Sequence, residues 1–319
     1  MLENRGKFAL VTGGAGFIGS HIVDRLILEG ARVRIIDNLS TGNIANVPRS
    51  DNVEFQDGDI RNRHHVKAAL EDIDIVFHEA AQINPAQAVE DPLFDFKVNA
   101  MGTLNLILES INSGVRKFIM ASTNTYGDTN SEVMSEDFST LFEKRSLLSP
   151  YAAAKVCAEA YLKTANDELG LSTVRLRYFN VYGPRQITKS ESGVIAIFTK
   201  QALLGRPITI FGDGTQTRDF VYVNDVVEAN MLAAKNEQAN GEVFNVGSGE
   251  ETSIMELAKL ITKITGKNIP IIHGTDRVAD FKRAKADLRR AEQVLGFHPK
   301  TGLRNGLKIY IEWLRYIVK

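Results

Sequence analysis

A tyrosine and a lysine four positions apart have the residue types and the spacing for proton transfer. Tyr151 and Lys155 lie in YAAAK, which follows Pro150 and begins a predicted helix. Positions i and i+4 lie on one face of a helix, so the two side chains can reach one site. A nearby ammonium lowers the pKa of a phenol, and the phenolate can then act as a general base. The alternative is a simple contact on a helix surface.

Two hydroxyl residues end the strand predicted before this helix. Ser122 and Thr123 stand in MASTNTYGD, at the carboxyl end of that strand. Ligands of open parallel sheets bind beyond the carboxyl ends of the strands. A hydroxyl there can donate to a substrate oxygen and relay its proton. Hydroxyl residues also often simply end a strand, and the residues alone leave both interpretations open.

A glycine-rich segment, TGGAGFIG, joins the first predicted strand to the first predicted helix. Gly13, Gly16 and Gly19 are three residues apart, which permits a tight turn and a close approach of the backbone to a pyrophosphate. The helix N-terminus adds free N–H groups and a positive dipole end. Asp37 ends the second strand, where a carboxylate accepts from ribose hydroxyls and repels a 2′-phosphate. This context predicts a bound dinucleotide, NAD rather than NADP.

Residues on the second and third predicted strands affect the choice between NAD and NADP and the predicted position of the adenine. Arg32 and Arg34 could favour a 2′-phosphate, but strand alternation would point both away from the end of the strand. Asp59 and Ile60 close the third strand and could contact the adenine, although an aspartate there could equally begin a turn.

A bound dinucleotide would also affect the predicted base. The positive ring of an oxidised nicotinamide would lower the pKa of the Tyr151 phenol in addition to the effect of the Lys155 ammonium.

Strand-like and helix-like segments alternate along the first 180 residues, which is typical of a parallel sheet with crossover helices. We therefore predict an α/β fold, a Rossmann-type doubly wound parallel sheet with a smaller, interleaved C-terminal α/β substrate domain. The NAD-binding domain would take residues 1–179 plus about 222–247, and the smaller C-terminal domain about 180–221 plus 248–319. The predicted strands are 7–12, 32–37, 53–59, 74–80, 117–122, 172–179 and 242–247, and the predicted helices are 17–29, 62–71, 93–113, 151–169, 191–204, 223–236, 253–265, 286–295 and 302–316.

Composition argues against several classes of protein. The 319 residues include 38 Lys and Arg against 39 Asp and Glu, and this balance gives no support for binding nucleic acid or an anionic membrane. The single cysteine, Cys157, can form no internal disulfide, and the six histidines show no ligand spacing, so no metal is expected. No apolar run approaches the roughly 20 residues of a membrane span or forms a signal-peptide core. These features predict a cytoplasmic protein.

The motifs together resemble the extended short-chain dehydrogenase/reductases, and within them the UDP-sugar 4-epimerases. The glycine loop, Asp37, HEAA, VNAMGT, the hydroxylated strand end and YAAAK occur in the order of that family. The resemblance continues nearly to the end of the chain, through RYFNVYGPRQ (177–186), GDGTQTRDFVYVNDV (212–226), FNVGSGE (244–250), RVAD (277–280) and LGFHP (295–299).

The resemblance implies redox-neutral epimerisation at carbon 4 of a UDP-hexose. Tyr151 as phenolate would take the proton of the 4-hydroxyl, with Ser122 or Thr123 bridging and Lys155 tuning the phenol, while tightly held NAD accepts and returns a hydride. Two copies would pair through helices 93–113 and 151–169 as a homodimer. The family pattern places NAD against Gly13, Gly16, Phe17, Ile18, Gly19, Asp37, Asn38, Asp59, Ile60, Ala80, Ala81, Asn99 and Tyr178, and the nucleotide sugar against Asn180, Arg185, Arg218, Arg277 and Ala284.

Departures from the family pattern bear on the reaction and on the sugar. The related 4,6-dehydratases carry an Asp–Glu pair where this chain has Thr123 and Asn124, and neither residue can serve as the base for dehydration. Ala284 occupies a position that is small where N-acetyl hexosamines enter. Arg185 could instead bond the carboxylate of UDP-glucuronate. The sugar therefore stays open among plain hexoses, N-acetyl hexosamines and uronates.

Two other functions stay open beside the UDP-hexose 4-epimerase. One is another nucleotide-sugar enzyme on the same scaffold, such as a UDP-uronate epimerase, a decarboxylase or a net reductase. The other is an NAD-binding regulator without catalysis. Such regulators typically lose the tyrosine, lysine or serine of the site, whereas this chain keeps Tyr151, Lys155 and Ser122.

Overall fold

One parallel sheet of seven strands organises the computed structural model, which describes residues 8–124, 133–136, 149–186, 193–275 and 282–318. The strands of the described residues are β1 (Phe8–Thr12), β2 (Arg32–Asp37), β3 (Val53–Asp57), β4 (Ile73–His78), β5 (Lys117–Thr123), β6 (Ser172–Tyr178), β7 (Asn180–Tyr182), β8 (Ile208–Phe211), β9 (Thr217–Arg218), β10 (Phe220–Tyr222), β11 (Val243–Val246), β12 (Thr252–Ser253) and β13 (Ile271–Gly274). The main sheet runs β3–β2–β1–β4–β5–β6–β11, with every neighbouring pair parallel. This order is that of doubly wound dinucleotide-binding folds. The predicted fold class is confirmed, and so is each of the seven predicted strands, to within two residues at either end.

The helices differ from the sequence prediction at three places, the first being a short helix at Pro85–Glu90 that the sequence does not predict. They are α1 (Phe17–Leu28), α2 (Arg63–Ala69), α3 (Pro85–Glu90), α4 (Pro92–Phe96), α5 (Thr103–Asn112), α6 (Pro150–Glu168), α7 (Val194–Leu203), α8 (Val223–Lys235), α9 (Ile254–Thr265) and α10 (Leu303–Ile317). The prediction of a single helix over 93–113 is wrong, because a π-helical turn at Lys97–Gly102 separates α4 from α5. The helix predicted over 286–295 is reduced to a short segment ending in a π-helical turn at Ala291–Leu295.

Strand alternation distributes the core between the two faces of the sheet. Val11 and Phe77 pack in one apolar cluster, whereas their neighbours Leu10 and Val76 pack in another. Successive side chains of a strand point to opposite faces, so apolar strands of this kind need helices on both sides. Among the described residues, no helix is long and apolar enough to cross a membrane.

A third apolar cluster lies outside the main sheet. Its residues come from two stretches of the chain, one running from Tyr182 to Val223 and the other from Ile254 to Leu314. Helices α7, α9 and α10 contribute most of it. Both stretches fall mainly within the predicted smaller C-terminal domain, and the division into two domains stays a prediction.

Local sequence signals place α6 relative to β5. The Ser149 hydroxyl accepts from Ala152 N, and Pro150 occupies the first turn of the helix. Serine at the N-cap and proline in the first turn both favour a helix start. Tyr151 therefore sits in the first turn of α6, at the end of the helix that meets the carboxyl end of β5.

Candidate active site

The glycine loop before α1 leaves no room for side chains beside its backbone. Gly13 has a φ of +68°, and a Cβ there would lie 2.8 Å from the backbone nitrogen of Ala80. A Cβ at Gly19 would overlap the Gly13 carbonyl oxygen, and one at Gly16 would lie 3.0 Å from it. Helix α1 begins at Phe17 with no side-chain cap. Uncapped N–H groups at a helix start, next to closely packed glycine backbone, fit the pyrophosphate of a dinucleotide.

Asp37 lies beside this loop at the end of β2. Its Oδ2 accepts from Ala15 N at 3.0 Å, and its Oδ1 accepts from Leu39 N at 2.8 Å. Desolvation raises the pKa of the Asp37 carboxyl, against the effect of these two N–H donors. The loop backbone thus fixes the carboxylate next to the pyrophosphate cradle, at the position predicted for ribose recognition.

Asp59 and Ile60 follow β3, and Asp59 already has charged and polar partners. Its Oδ2 accepts from Arg61 Nη2 at 2.6 Å and from Asn38 Nδ2 at 3.0 Å. The Arg61 guanidinium lowers the pKa of Asp59 to about 2. Ile60 is buried against Gly102, where a Cβ would lie 2.8 Å from Ile60 Cδ1. Asn38, Asp59 and Ile60 therefore lie near one another, and their contact with adenine stays a prediction.

A buried hydrogen-bond chain supports the turn at Ala80. Thr12 Oγ1 accepts from Ala80 N at 3.1 Å and lies 2.7 Å from His78 Nδ1. The other ring nitrogen, His78 Nε2, lies 2.9 Å from Thr103 Oγ1. Burial lowers the pKa of His78 to about 3, so the imidazole is neutral at pH 7. The chain ties β1 and β4 to α5 behind the predicted cofactor site.

Asn99 fixes the loop residues that follow Ala81. From the π-helical turn, its Oδ1 accepts from Gln82 N at 3.0 Å, and its Nδ2 donates to Gln82 O and to Asp95 Oδ1, each at 2.9 Å. Asn99 is 1% exposed. The structure therefore shows Asn99 supporting the loop, and its direct contact with NAD stays a prediction.

Tyr151, Lys155 and Thr123 come together where β5 ends and α6 begins. The Thr123 hydroxyl hydrogen-bonds the Tyr151 phenol, and Lys155 Nζ donates to Ala121 O at 3.0 Å. Desolvation raises the pKa of Tyr151 to about 12 and lowers that of Lys155 to about 8. The predicted pair thus reaches one strand end, but in the protein alone the phenol is far from a neutral pKa.

Ser122 faces a buried ion pair that the sequence analysis did not single out. Its hydroxyl donates to Glu159 Oε1 at 2.6 Å, and Arg177 Nη2 donates to Glu159 Oε2 at 2.9 Å. Glu159 is completely buried and Arg177 is 3% exposed. The sequence does contain one signal for Glu159. It lies four residues after Lys155 on α6, so it continues the helix face that carries Tyr151 and Lys155.

Tyr178 is held at the end of β6 by two side chains. Its hydroxyl donates to Glu79 Oε1 at 2.8 Å and accepts from Asn230 Nδ2 at 2.7 Å. Desolvation raises the pKa of Glu79 to about 7, against the effects of Tyr178 and Lys155. A titratable carboxyl therefore lies behind the site, next to the predicted cofactor residue Tyr178.

Asp219 joins three segments around the predicted substrate residues Asn180 and Arg218. Its Oδ1 accepts from Ser248 N at 2.6 Å and from Ser248 Oγ at 2.7 Å. Its Oδ2 accepts from Gly249 N at 2.9 Å and from Ala286 N at 3.1 Å. Its carbonyl oxygen accepts from Asn180 N at 3.0 Å. Asp219 therefore fixes the strand that carries Arg218, whose direct contact with substrate stays a prediction.

The remaining predicted substrate residues lie in different surroundings. Arg185 pairs with Asp24 on α1 at 2.8 Å, while its Nη1 is buried without a hydrogen-bond partner. Its φ of +68° is unusual for a residue with a side chain. Ala284 is 2% exposed and packs in the cluster that contains Val11. Arg277 lies outside the described residues.

The described side chains suit proton transfer at a substrate hydroxyl beside a bound dinucleotide. Tyr151 with Thr123 provides a phenol and a hydroxyl in contact, and the glycine loop and Asp37 provide the dinucleotide end of the site. Across the ranges that the structure describes, no group of three or more His, Cys, Asp or Glu side chains is arranged to hold a metal ion.

Comparisons with known proteins agree with this chemistry. A profile of the NAD dependent epimerase/dehydratase family matches residues 9–247. The chain is 40% identical over 313 residues to the UDP-glucose 4-epimerase of Mycolicibacterium smegmatis, covering 96% of this chain and 98% of that protein. It superposes on the crystal structure of a UDP-glucose 4-epimerase from Thermotoga maritima, solved with UDP-glucose, with a TM-score of 0.91, 41% identity and coverage of 98% and 99% of the two chains. The UDP-glucuronic acid 4-epimerase of Bacillus cereus, solved with UDP-glucuronic acid and NAD, matches with a TM-score of 0.88, 32% identity and coverage of 97% and 99%.

Proposed function

This chain belongs to the NAD-dependent epimerase/dehydratase family, and we propose that it interconverts the carbon-4 epimers of a UDP-hexose, with UDP-glucose and UDP-galactose as the first pair to test. NAD is its cofactor. One observation carries the proposal: the Tyr151 phenol and the Thr123 hydroxyl are in contact at the carboxyl end of β5, with Lys155 on the same helix face.

The proposed mechanism assigns proton handling to the chain's own residues. Tyr151 takes the proton of the sugar 4-hydroxyl and later returns it, while Thr123 holds the phenol in place. Lys155 keeps a positive charge near the phenolate, which favours its ionised form. When bound, NAD supplies a reversible hydride acceptor for carbon 4. The glycine loop, Asp37 and Asn38 would hold the dinucleotide.

Two features favour a plain or N-acetylated hexose over the alternatives. Thr123 and Asn124 carry no carboxylate that could remove the proton a dehydratase must remove. Arg185, the residue that would bond a uronate, is engaged by Asp24 at 2.8 Å. Binding of UDP-glucuronate through Arg185 would require that ion pair to break, so the uronate 4-epimerase is the second candidate.

A product assay tests the proposed function directly. The purified protein is incubated separately with UDP-glucose, UDP-N-acetylglucosamine and UDP-glucuronate, without added NAD, and the products are resolved by proton NMR. Formation of the 4-epimer supports both the redox-neutral reaction and retained cofactor, and the fastest substrate identifies the sugar. If no epimer forms even after NAD is supplied, the 4-epimerase proposal is wrong for these sugars.

Asp37→Asn tests the cofactor preference. Removing the carboxylate charge removes the repulsion of a 2′-phosphate, so the ratio of Kd for NADP+ to Kd for NAD+ is expected to fall about tenfold or more. Isothermal titration of cofactor-stripped protein measures both constants. Asp57→Asn is the matched control, because Asp57 is exposed and lies opposite Asp37 on the neighbouring strand β3. An unchanged ratio in Asp37→Asn would remove Asp37 from ribose recognition.

We also propose that two copies pair through α4 and α6. Leu93 and Phe96 on α4 are 59% and 48% exposed, and Tyr161 on the adjacent α6 is 45% exposed. Large apolar side chains left in water on adjoining helices favour burial against a partner. Leu93→Asp is expected to convert a dimer to a monomer in light scattering, whereas Leu28→Asp, at an 84% exposed position on α1, should not. A monomeric wild-type protein at micromolar concentration would contradict the proposal.

A further inference from the structure

A carboxyl group lies at the edge of the main sheet between the dinucleotide end and the proton-transfer end of the site. The glycine loop follows β1, Thr123 ends β5, and β4 lies between these two strands. Glu79 is the first residue after β4, and its backbone N donates to Thr12 O at 3.2 Å. A Cβ at Gly13 would lie 3.0 Å from the Glu79 carbonyl carbon. A dinucleotide that runs from the glycine loop to Tyr151 must therefore pass the end of β4, where Glu79 lies.

A chain of hydrogen bonds holds the Glu79 carboxyl group in place. Asn230 Nδ2 donates to Val226 O at 2.9 Å and to the Tyr178 hydroxyl at 2.7 Å. These two bonds use both hydrogens of the amide, so the Tyr178 hydroxyl accepts from Asn230 and gives its own hydrogen to Glu79 Oε1 at 2.8 Å. Glu79 Oε1 thus acts as an acceptor, which suits the ionised form of the carboxyl.

Two neighbours bring this carboxyl close to the proposed base. Tyr178 on β6 lies directly opposite Thr123 on β5 in the parallel register, and Thr123 hydrogen-bonds the Tyr151 phenol. Lys155, on the same helix face as Tyr151, interacts electrostatically with Glu79. A negative and a positive side chain therefore lie together at the reacting end of the site.

The positive charge of Lys155 has two opposing effects on the proposed chemistry. It favours the ionised form of Tyr151, but it repels the positive ring of an oxidised nicotinamide. The reduced ring is neutral and meets no such repulsion. A carboxylate at Glu79 attracts the oxidised ring and offsets the repulsion, and its burial behind the site strengthens this attraction.

We propose that Glu79 is an electrostatic residue of the cofactor site, whose negative charge makes the protein bind NAD+ in preference to NADH. In a redox-neutral reaction the C–H bond broken at carbon 4 must form again, so the hydride has to return to the sugar. A site that favours the oxidised cofactor promotes this return and limits the amount of protein left with NADH. This consequence rests on the proposed 4-epimerase function, whereas the cofactor preference does not.

Cofactor binding without any UDP-sugar tests the proposal. Glu79→Gln removes the charge, while its amide oxygen can still accept from Tyr178. The ratio of Kd for NAD+ to Kd for NADH is expected to rise about tenfold, because only the oxidised ring loses an attraction. Isothermal titration of cofactor-stripped protein measures both constants at pH 7.5, where a carboxyl with a pKa of about 7 is mostly ionised. Glu79→Asp keeps the charge and should stay closer to the wild-type ratio.

The matched control is the same substitution at the other end of β4. Glu71 is exposed and precedes that strand, so Glu71→Gln should leave the ratio unchanged. A wild-type ratio in Glu79→Gln, with both constants unchanged or weakened alike, would overturn the proposal and leave Glu79 a structural role. If this variant does not survive removal of the cofactor, the NADH fraction of the purified holoenzyme is compared instead, and a fraction no higher than that of the wild type would have the same meaning. Absence of epimerisation together with the expected shift in the ratio would reject only the proposed function.

Discussion

Replacing Tyr151 with phenylalanine is expected to lower kcat for epimerisation by about 10²- to 10⁴-fold, because it removes the general base. The ring stays in place, so the fold and the hydrogen bond from Lys155 to Ala121 should survive. Tyr161→Phe on the same helix is the matched control, since Tyr161 is 45% exposed and lies away from the strand end. Proton NMR of the sugar nucleotide measures both rates. Wild-type turnover by Tyr151→Phe would show that another group takes the proton.

The electrostatics of the site explain why this phenol should depend on bound cofactor. Desolvation raises the pKa of Tyr151 to about 12 and lowers that of Lys155 to about 8, so at pH 7 the phenol is protonated and the ammonium charged. A second positive charge close to the phenol would oppose this rise in its pKa. The oxidised nicotinamide ring of NAD would supply such a charge if it bound beside Tyr151, and the phenol would then ionise more readily in the protein loaded with NAD.

Asp219→Asn is expected to destabilise the protein by about 3 kcal/mol, because it leaves buried donors without an acceptor. The amide has the size of the carboxylate but only one oxygen, and its NH2 group must face either Ser248 N or both Gly249 N and Ala286 N. A loss of that size corresponds to a fall in Tm of roughly 5–10 °C. Differential scanning calorimetry measures it.

The control for Asp219 is another aspartate of the same part of the chain. Asp213 is exposed, and its Oδ1 accepts from Thr215 N at 2.8 Å within its own turn. Asp213→Asn should leave Tm nearly unchanged. KM for the UDP-sugar should rise in Asp219→Asn, since Asp219 directly follows Arg218, the last residue of β9 and a predicted substrate contact. Equal Tm values for the two variants would show that the three segments are held together by other contacts.

The sequence predicts the architecture better than it predicts the contacts within the site. Apolar strands alternating with helical patterns identify the whole main sheet, because periodicity is a local property. The π-helical turn that contains Asn99 was missed, since its packing against Ile60 comes from a different part of the chain. Local spacing does bring Tyr151 and Lys155 to one face of α6.

Long-range pairing explains the site residues that sequence reasoning did not find. Glu159 by itself resembles the exposed glutamates that most helices carry. Its burial follows only when β5 and β6 place Ser122 and Arg177 side by side beneath α6. Asp219 likewise becomes informative only when the segments around Ser248 and Ala286 reach it from 29 and 67 residues away.

The third apolar cluster has a consequence for biosynthesis. Its earliest member, Tyr182, donates to Leu303 O at 3.3 Å across 121 residues, and α10 adds Leu307, Tyr310 and Leu314 to the same cluster. Chains leave the ribosome N-terminus first, so the main sheet can assemble while this cluster still lacks its last helix. A nascent or truncated chain that stops before α10 therefore carries an open apolar surface on a finished sheet, which is the kind of species that chaperones must shield from aggregation.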